Sequence, residues 1–194
     1  FDSNIGADNV IRALEIQPDG KILIGGAFSN YNTLSTNRII RLNSNGTKDT
    51  TFTTGTGFNS QVTALTLQSD GKIILVGDFT GYNGNSAQRI VRLNAFGFID
   101  STFSGGSGFN VTPNTIAIQG DGNVIVGGGF TEYNGMTLQN RVIRLTGNGS
   151  KDTSFNIGTG FNANVYSITI LSDANVLIGG NFATFNSNIE NYLV

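Results

Sequence analysis

The sequence predicts an all-β fold of four stacked blades, and three observations carry that prediction. A ten-residue phrase, "DGKILIGGAF" (19–28), returns as "DGKIILVGDF" (70–79), "DGNVIVGGGF" (121–130) and "DANVLIGGNF" (173–182). Its copies lie 51, 51 and 52 residues apart, counted on Asp19, Asp70, Asp121 and Asp173, and a fixed period of this size marks a repeat architecture. Within one period the apolar residues alternate or form short runs between turn residues, and nowhere is an i, i+3, i+4, i+7 pattern long enough for a helix.

The elements follow in order within the second repeat. "VTALTLQ" (62–68) alternates with a period near two and reads as a strand, and "KIILVG" (72–77) reads as a nearly buried one. The Asp70-Gly71 turn between them predicts a two-residue hairpin, because Asp-Gly readily takes positive φ. "RIVRL" (89–93) reads as a third strand and "IDSTF" (99–103) as a short fourth one after the Gly97 turn. Pro18 and Pro113 fall at a turn and at a strand start, where proline is tolerated.

Two further phrases keep the same period. "RIIRLN" (38–43) returns at 89–94 and 141–146, and "DTTF" (49–52) returns at 100–103 and 152–155, with Phe1 fitting a first copy. One extra residue in the third repeat, between Met136 and Arg141, falls where a loop is expected. A repeat of about 50 residues with four short antiparallel strands has the size of a β-propeller blade. One blade cannot bury both faces of its sheet, whereas blades stacked around an axis can. The Gly-Gly pair then lets neighbouring backbones approach, and Phe28, Phe79, Phe130 and Phe182 fill the wedge that widens from the axis. The expected repeats are 1–51, 52–102, 103–154 and 155–194, the last incomplete because Tyr192, Leu193 and Val194 take the slots of Arg38, Ile39 and Ile40. Either four blades close a small ring, or they are a four-blade portion of a larger propeller.

The run from Val62 to Phe79, then Arg89 to Asn94 and Asp100 to Phe103, resembles the delta-sixty propeller repeats of bacterial and phage surface proteins. That resemblance covers essentially the whole chain. It implies a β-propeller and brings no catalytic motif with it.

Composition removes several classes of mechanism. The 194 residues contain no His and no Cys, which excludes Ser-His-Asp and Cys-His nucleophile systems and ordinary zinc or copper sites. Eleven scattered Lys and Arg with a net charge of −2 argue against nucleic acid as a partner. No apolar run approaches the roughly 18 residues of a membrane span, so no membrane insertion is expected. The chain starts at Phe1 without a signal peptide and reads as a processed chain, a domain or a fragment. No cofactor is implied.

Recurring polar residues are read first as scaffold. Asp19-Gly20, Asp70-Gly71, Asp121-Gly122 and Asp173 sit in hairpin turns; a carboxylate ring for calcium is the rival, but no D-x-D-x-D-G spacing exists. Arg38 and Arg41, Arg89 and Arg92, and Arg141 and Arg144 are three apart on a strand and so point to opposite faces. With Asp49, Asp100 and Asp152 one strand away they suggest an ion pair in each blade. The rival is a guanidinium ring for an anionic glycan.

Tyr31-Asn32, Tyr82-Asn83, Tyr133-Asn134 and Phe185-Asn186 recur in the loops after each phrase. A ring beside an amide is a candidate sugar platform, and equally a loop that buries one ring and caps its own backbone. The stretches that differ between repeats, 33–37, 84–88, 135–140 and 187–191, are where specific recognition is expected. Asp78 and Glu132, in adjacent repeats, are the least implausible pair for glycosidase chemistry, which needs two carboxyl groups roughly 5–10 Å apart. Asn45, Asn110 and Asn148 begin N-x-S/T triplets that matter only in a eukaryotic source.

Together these readings predict a non-enzymatic recognition or adhesion module of a larger extracellular, cell-surface or virion protein. Its partners would be a glycan or protein receptor, or other chains of the assembly. A purely structural spacer in a phage particle or surface assembly is the alternative, and a glycosidase or lyase a more distant one.

Overall fold

The computed structural model describes residues 6–137, 140–190 and 192–194. Phe1, part of the 135–140 stretch with its extra residue, and position 191 lie outside these. The described residues form strands and no helix, in four repeated sheets. The first blade comprises β1 (Ile11–Ile16), β2 (Ile22–Gly26), the ribbon β3 (Asn30–Tyr31) and β4 (Leu34–Ser35), and β5 (Ile39–Leu42). The second repeats this as β6 (Val62–Leu67), β7 (Ile73–Gly77), β8 (Gly81–Tyr82), β9 (Asn85–Ser86) and β10 (Ile90–Leu93). The third has β11 (Pro113–Ile118), β12 (Val124–Gly128), β13 (Glu132–Tyr133), β14 (Met136–Thr137) and β15 (Val142–Leu145). The fourth has β16 (Val165–Ile170), β17 (Val176–Gly180), β18 (Thr184–Phe185) and β19 (Asn188–Ile189). All pairings are antiparallel, in the order β1-β2-β5 and its equivalents. The inner strands β1, β6, β11 and β16 pack side by side in sequence order, which makes this the predicted propeller arrangement.

The expected fourth strand shrinks to a single bridge in each of the first three blades, Leu42 to Lys48, Leu93 to Ile99 and Leu145 to Lys151. Beyond it Asp49, Asp100 and Asp152 turn the chain, with the carboxylate accepting from the backbone N–H and hydroxyl of Thr51, Thr102 and Ser154. Such local side-chain bonds compete with the ladder and end it.

The Asp-Gly turn also differs from the two-residue hairpin expected. Gly20 N–H bonds Gln17 C=O at 2.9 Å and Gln17 N–H bonds Lys21 C=O at 2.8 Å, which closes a three-residue loop. Only its last residue has positive φ: Gly20, Gly71, Gly122, and in the fourth blade Ala174 at +67°. The preceding aspartates accept instead from the N–H two residues on, as Asp19 does from Lys21 and Asp70 from Lys72. The two-residue turn with two positive φ values lies elsewhere, at Asn83-Gly84 and Asn134-Gly135, and it makes the ribbons β8–β9 and β13–β14.

The two glycines of the phrase have separate tasks. Gly25 and Gly127 face the next blade, where an added Cβ would stand 2.8 and 2.5 Å from Val62 and Val165 Cγ1. In blade two that slot holds Val76, and the position equivalent to Val62 in blade three is Pro113. Gly26, Gly77, Gly128 and Gly180 instead lie against their own first strand, where a β-bulge shifts the register and brings the backbone too near for any Cβ.

Apolar positions between blades are buried, and their equivalents at the two ends are not. Leu65, Ile116 and Ile168 are 7–9% exposed against the preceding blade, while Leu14 in the same position of blade one is 57% exposed. Ile39, Ile90 and Val142 face the following blade at 0–3%, while Leu193 in blade four is 57% exposed. Burial therefore comes from the neighbouring blade, as stacking requires.

Ala174 tests the turn assignment. Left-handed backbone costs a Cβ-bearing residue about 1–2 kcal/mol. Ala174→Gly is expected to raise unfolding free energy by about 1 kcal/mol, and Gly71→Ala to lower it by a similar amount, in urea denaturation.

Candidate functional site

The recurring polar residues form an internal scaffold. Arg41 Nε donates to Asp49 Oδ2 at 2.7 Å, Nη2 to Thr51 Oγ1 at 3.2 Å, and Nη1 to the Ala95 carbonyl of the next blade at 2.7 Å. Its guanidinium carbon lies 4.7 Å above the centre of the Phe52 ring. Arg92 repeats the set with Asp100, Thr102, Gly147 C=O and Phe103, and Arg144 with Asp152, Ser154 and Phe155. With these donors engaged and the side chains buried or nearly so, Arg41, Arg92 and Arg144 offer no guanidinium ring to a glycan. The first arginine of each pair is not on the strand at all. Arg38, Arg89 and Arg141 sit just before it with φ of +75°, +63° and +70°, and Arg38 and Arg89 donate to Phe58 and Phe109 C=O.

Burial alone would raise the Asp49 and Asp100 carboxyls. The hydroxyl and N–H of Thr51 and Thr102, with the adjacent Arg and Lys, more than offset it. Asp49 is held far below the usual range and Asp100 at about 2. The Ser154 hydroxyl and N–H, with Arg144, also lower Asp152.

The aromatic-Asn pairs are also turned inward. Tyr82 and Tyr133 are fully buried, their hydroxyls donate to Gly97 and Gly149 C=O at 2.6 Å, and burial pushes both pKa values up. Each ring stacks on a phenylalanine that the sequence reading passed over: Phe58 is 4.5 Å from Tyr82 and 4.4 Å from Phe79, and Phe109 repeats this with Tyr133 and Phe130. Phe161 packs likewise on Phe182 and Phe185; in blade one Ala7 takes that place beside Phe28 and Tyr31. Asn83 and Asn134 Oδ1 accept from Thr56 and Ser107 N–H, Asn186 Oδ1 from Gly160 N–H, and Asn32 has the same left-handed backbone. The rings of Tyr82 and Tyr133 are thus unavailable as a sugar platform. The signal for this was the recurring Gly-Phe-Asn at 57–59, 108–110 and 160–162, whose asparagines cap the ribbons by accepting two N–H groups each.

Of the remaining candidates, Asp78 accepts from the Thr112 hydroxyl at 2.6 Å, and Glu132 lies in β13. Asn45 and Asn148 accept from the N–H two residues on, and Asn110 from the Thr131 and Glu132 N–H groups of the ribbon. Among the described residues no three metal-ligating side chains come together.

Two concave surfaces remain. A groove of about 490 Å³ runs between Asn37 and Arg38 of blade one and the 56–59 segment and ribbon of blade two. Its polar lining includes Asn37, Arg38, Thr56, Asn85 and Ser86, and Gly84 lies at its edge. Asn37, Gly84, Asn85 and Ser86 belong to the stretches that vary between repeats. On the opposite side, about 600 Å³ opens where the β1–β2, β6–β7 and β11–β12 turns converge. There Glu15, an isolated charge in its repeat position, stands beside Ile16, Leu67 and Ile118 and a row of glutamines, and burial pushes its carboxyl up.

The family profile described as "Domain of unknown function (DUF5122) beta-propeller" matches residues 17–52, 68–103 and 119–155, over half of the chain. The chain belongs to this β-propeller family. Its copies start at the glutamine before each Asp-Gly turn and end at or next to the phenylalanine under each arginine. No curated protein sequence matches the chain. Among solved structures it is similar to a streptogramin B lyase (TM-score 0.53, 17% identity) over 97% of this chain and 57% of that one. It is similar to a candidate gluconolactonase at TM-score 0.52 and 12% identity, over 93% and 55%. A virginiamycin B lyase from Staphylococcus aureus, solved with quinupristin, aligns at TM-score 0.49 and 19% identity, over 98% and 56%. The chain thus spans a little over half the length of these proteins, and at such identities the likeness is one of fold.

Two outcomes test the scaffold assignment. Asp100 ionises at about 2 in the fold and at 3.8 without it, so its contribution is full above about pH 4 and is lost as pH falls through 2. Thermal melts are expected to be flat from pH 7 to about 5 and to drop steeply between about 4 and 2. Arg92→Met removes the buried guanidinium and leaves Asp100, 11% exposed, with Lys72 as its remaining cationic partner at 3.4 Å. It is expected to cost about 2–3 kcal/mol in urea denaturation, more than a surface pair and less than a fully buried one.

Proposed function

We propose that the chain is a non-enzymatic recognition module of a larger extracellular or virion-surface protein, and that it binds a glycan through the face bearing the ribbons. The observation that carries this reading is the groove between blades one and two, whose polar lining includes Asn85 and Ser86 at positions that hold Leu34 and Ser35 in blade one and Met136 and Thr137 in blade three. Amides and hydroxyls with a single guanidinium suit a hydroxyl-rich ligand of low charge. The recurring Arg41, Arg92 and Arg144 and the recurring Tyr-Asn pairs hold the blades together, Asn37 donates to Thr56 C=O as Asn140 does to Thr159 C=O, and recognition is left to Asn85 and Ser86. The resemblance to delta-sixty repeats, and surfaces rich in Asn, Thr and Gly, support a place outside the cell or on a particle. The exposed faces of blades one and four support packing against other parts of an assembly.

A glycan array probed with the full chain tests this. Binding to a defined glycan class, weakened about tenfold or more in the Asn85→Ala/Ser86→Ala double variant with an unchanged melting temperature, is the expected result. An array on which the wild-type chain retains nothing, or a double variant that binds as well as wild type, overturns it.

A further inference from the structure

The cavity on the opposite side is independent of the groove and has a different chemistry. Each of its three blades contributes equivalent residues, so the lining repeats: Ile16, Leu67 and Ile118 supply the apolar wall, and Gln17, Gln68 and Gln119 an amide row. The amide oxygens already accept from Arg41, Arg92 and Arg144 Nη1, at 3.4, 3.2 and 3.4 Å. Their environment is scaffold. Glu15 breaks the symmetry, because the equivalent positions of the other blades hold Thr66, Ala117 and Thr169.

Glu15 is half-buried, and among the described residues its carboxylate has no hydrogen-bond or ion-pair partner. The rim adds a second carboxylate, Asp19, and no Lys or Arg lines the cavity. The ammonium beside Asp19, Lys21 Nζ, is 3.8 Å from Asp19 and 3.1 Å from Asp49, which draws it towards the scaffold. A carboxylate held against apolar side chains without a counter-charge is unfavourable, and a cation placed there interacts more strongly than in water. We infer that this cavity is a second binding site, for an organic cation: a protonated amine on an apolar body, with the nitrogen at Glu15 and the body against Ile16, Leu67 and Ile118.

Titration of the full chain with n-hexylammonium, hexan-1-ol and hexanoate, followed by calorimetry and by the methyl resonances of Ile16 and Ile118, tests the assignment. The ammonium probe is expected to bind about tenfold or more tighter than the alcohol, with hexanoate weakest, because a charge-assisted hydrogen bond is about twice as strong as a neutral one. Glu15→Gln is expected to remove that preference. Glu15→Thr, which installs the residue of blades two and four, controls for folding and is expected to do the same with an unchanged melting temperature. The Asn85→Ala/Ser86→Ala variant is expected to bind the ammonium normally, which separates this site from the groove. Equal affinity for amine and alcohol, no binding of any probe, or an undiminished preference in Glu15→Gln overturns the proposal.

Discussion

The buried guanidinium of blades one and two, Arg41 and Arg92, is the interaction on which the rest depends. Arg41 and Arg92 each hold a turn carboxylate and a hydroxyl of their own blade, lie over a phenylalanine ring, and donate to a carbonyl of the blade that follows. Arginine suits this place because its planar fork donates in several directions while its face stacks on a ring. A lysine in the same position would lose both the fork and the stacking. The guanidinium thus defines where one blade ends and fixes the next against it, while the apolar faces between them supply the bulk of the burial.

How much of this could be read beforehand varied with how local the cause was. The period, the second and third strands and the aspartate-led turns follow from residues adjacent in sequence. The Arg-Asp pairing follows from two co-spaced phrases. The fourth strand was misjudged because "DTTF" looks like a strand by composition, whereas Asp49 and Thr51 hydrogen-bond each other and turn the chain. The place of Tyr82 was ambiguous because its fate rests on Phe58, some 24 residues upstream. Asn83-Gly84 carried a hairpin signal that was overlooked beside the aromatic residue preceding it. Glu15 is legible in the sequence as one of the few acidic residues outside the repeated slots, but its half-buried place in a cavity depends on three blades coming together.

The two concave surfaces illustrate how a repeat can diverge without losing its fold. On the ribbon side the capping asparagines keep their places, while the position of Asn85 holds Leu34 and Met136 in blades one and three, and that of Ser86 holds Thr137 and Ile189 in blades three and four. On the other side the glutamines keep their arginine partners while one neighbouring position accepts a threonine, an alanine or a glutamate. In both, a fixed hydrogen-bonded frame surrounds a few positions whose side chains differ from blade to blade.

The close fit of Gly25 and Gly127 against Val62 and Val165, with Val76 and Pro113 in the matching slots of the next junction, has an evolutionary consequence. Because the small-against-large contact is alike at the first and third seams, Gly25 on Val62 and Gly127 on Val165, unequal recombination between like seams duplicates or deletes a two-repeat unit of 103 residues, the spacing from Val62 to Val165. The junction around Val76 and Pro113 is the exception. A crossover that separated those two would bring Val76 against a valine or Pro113 against a glycine, so this pair is expected to be inherited together and to limit where the array can be cut and rejoined.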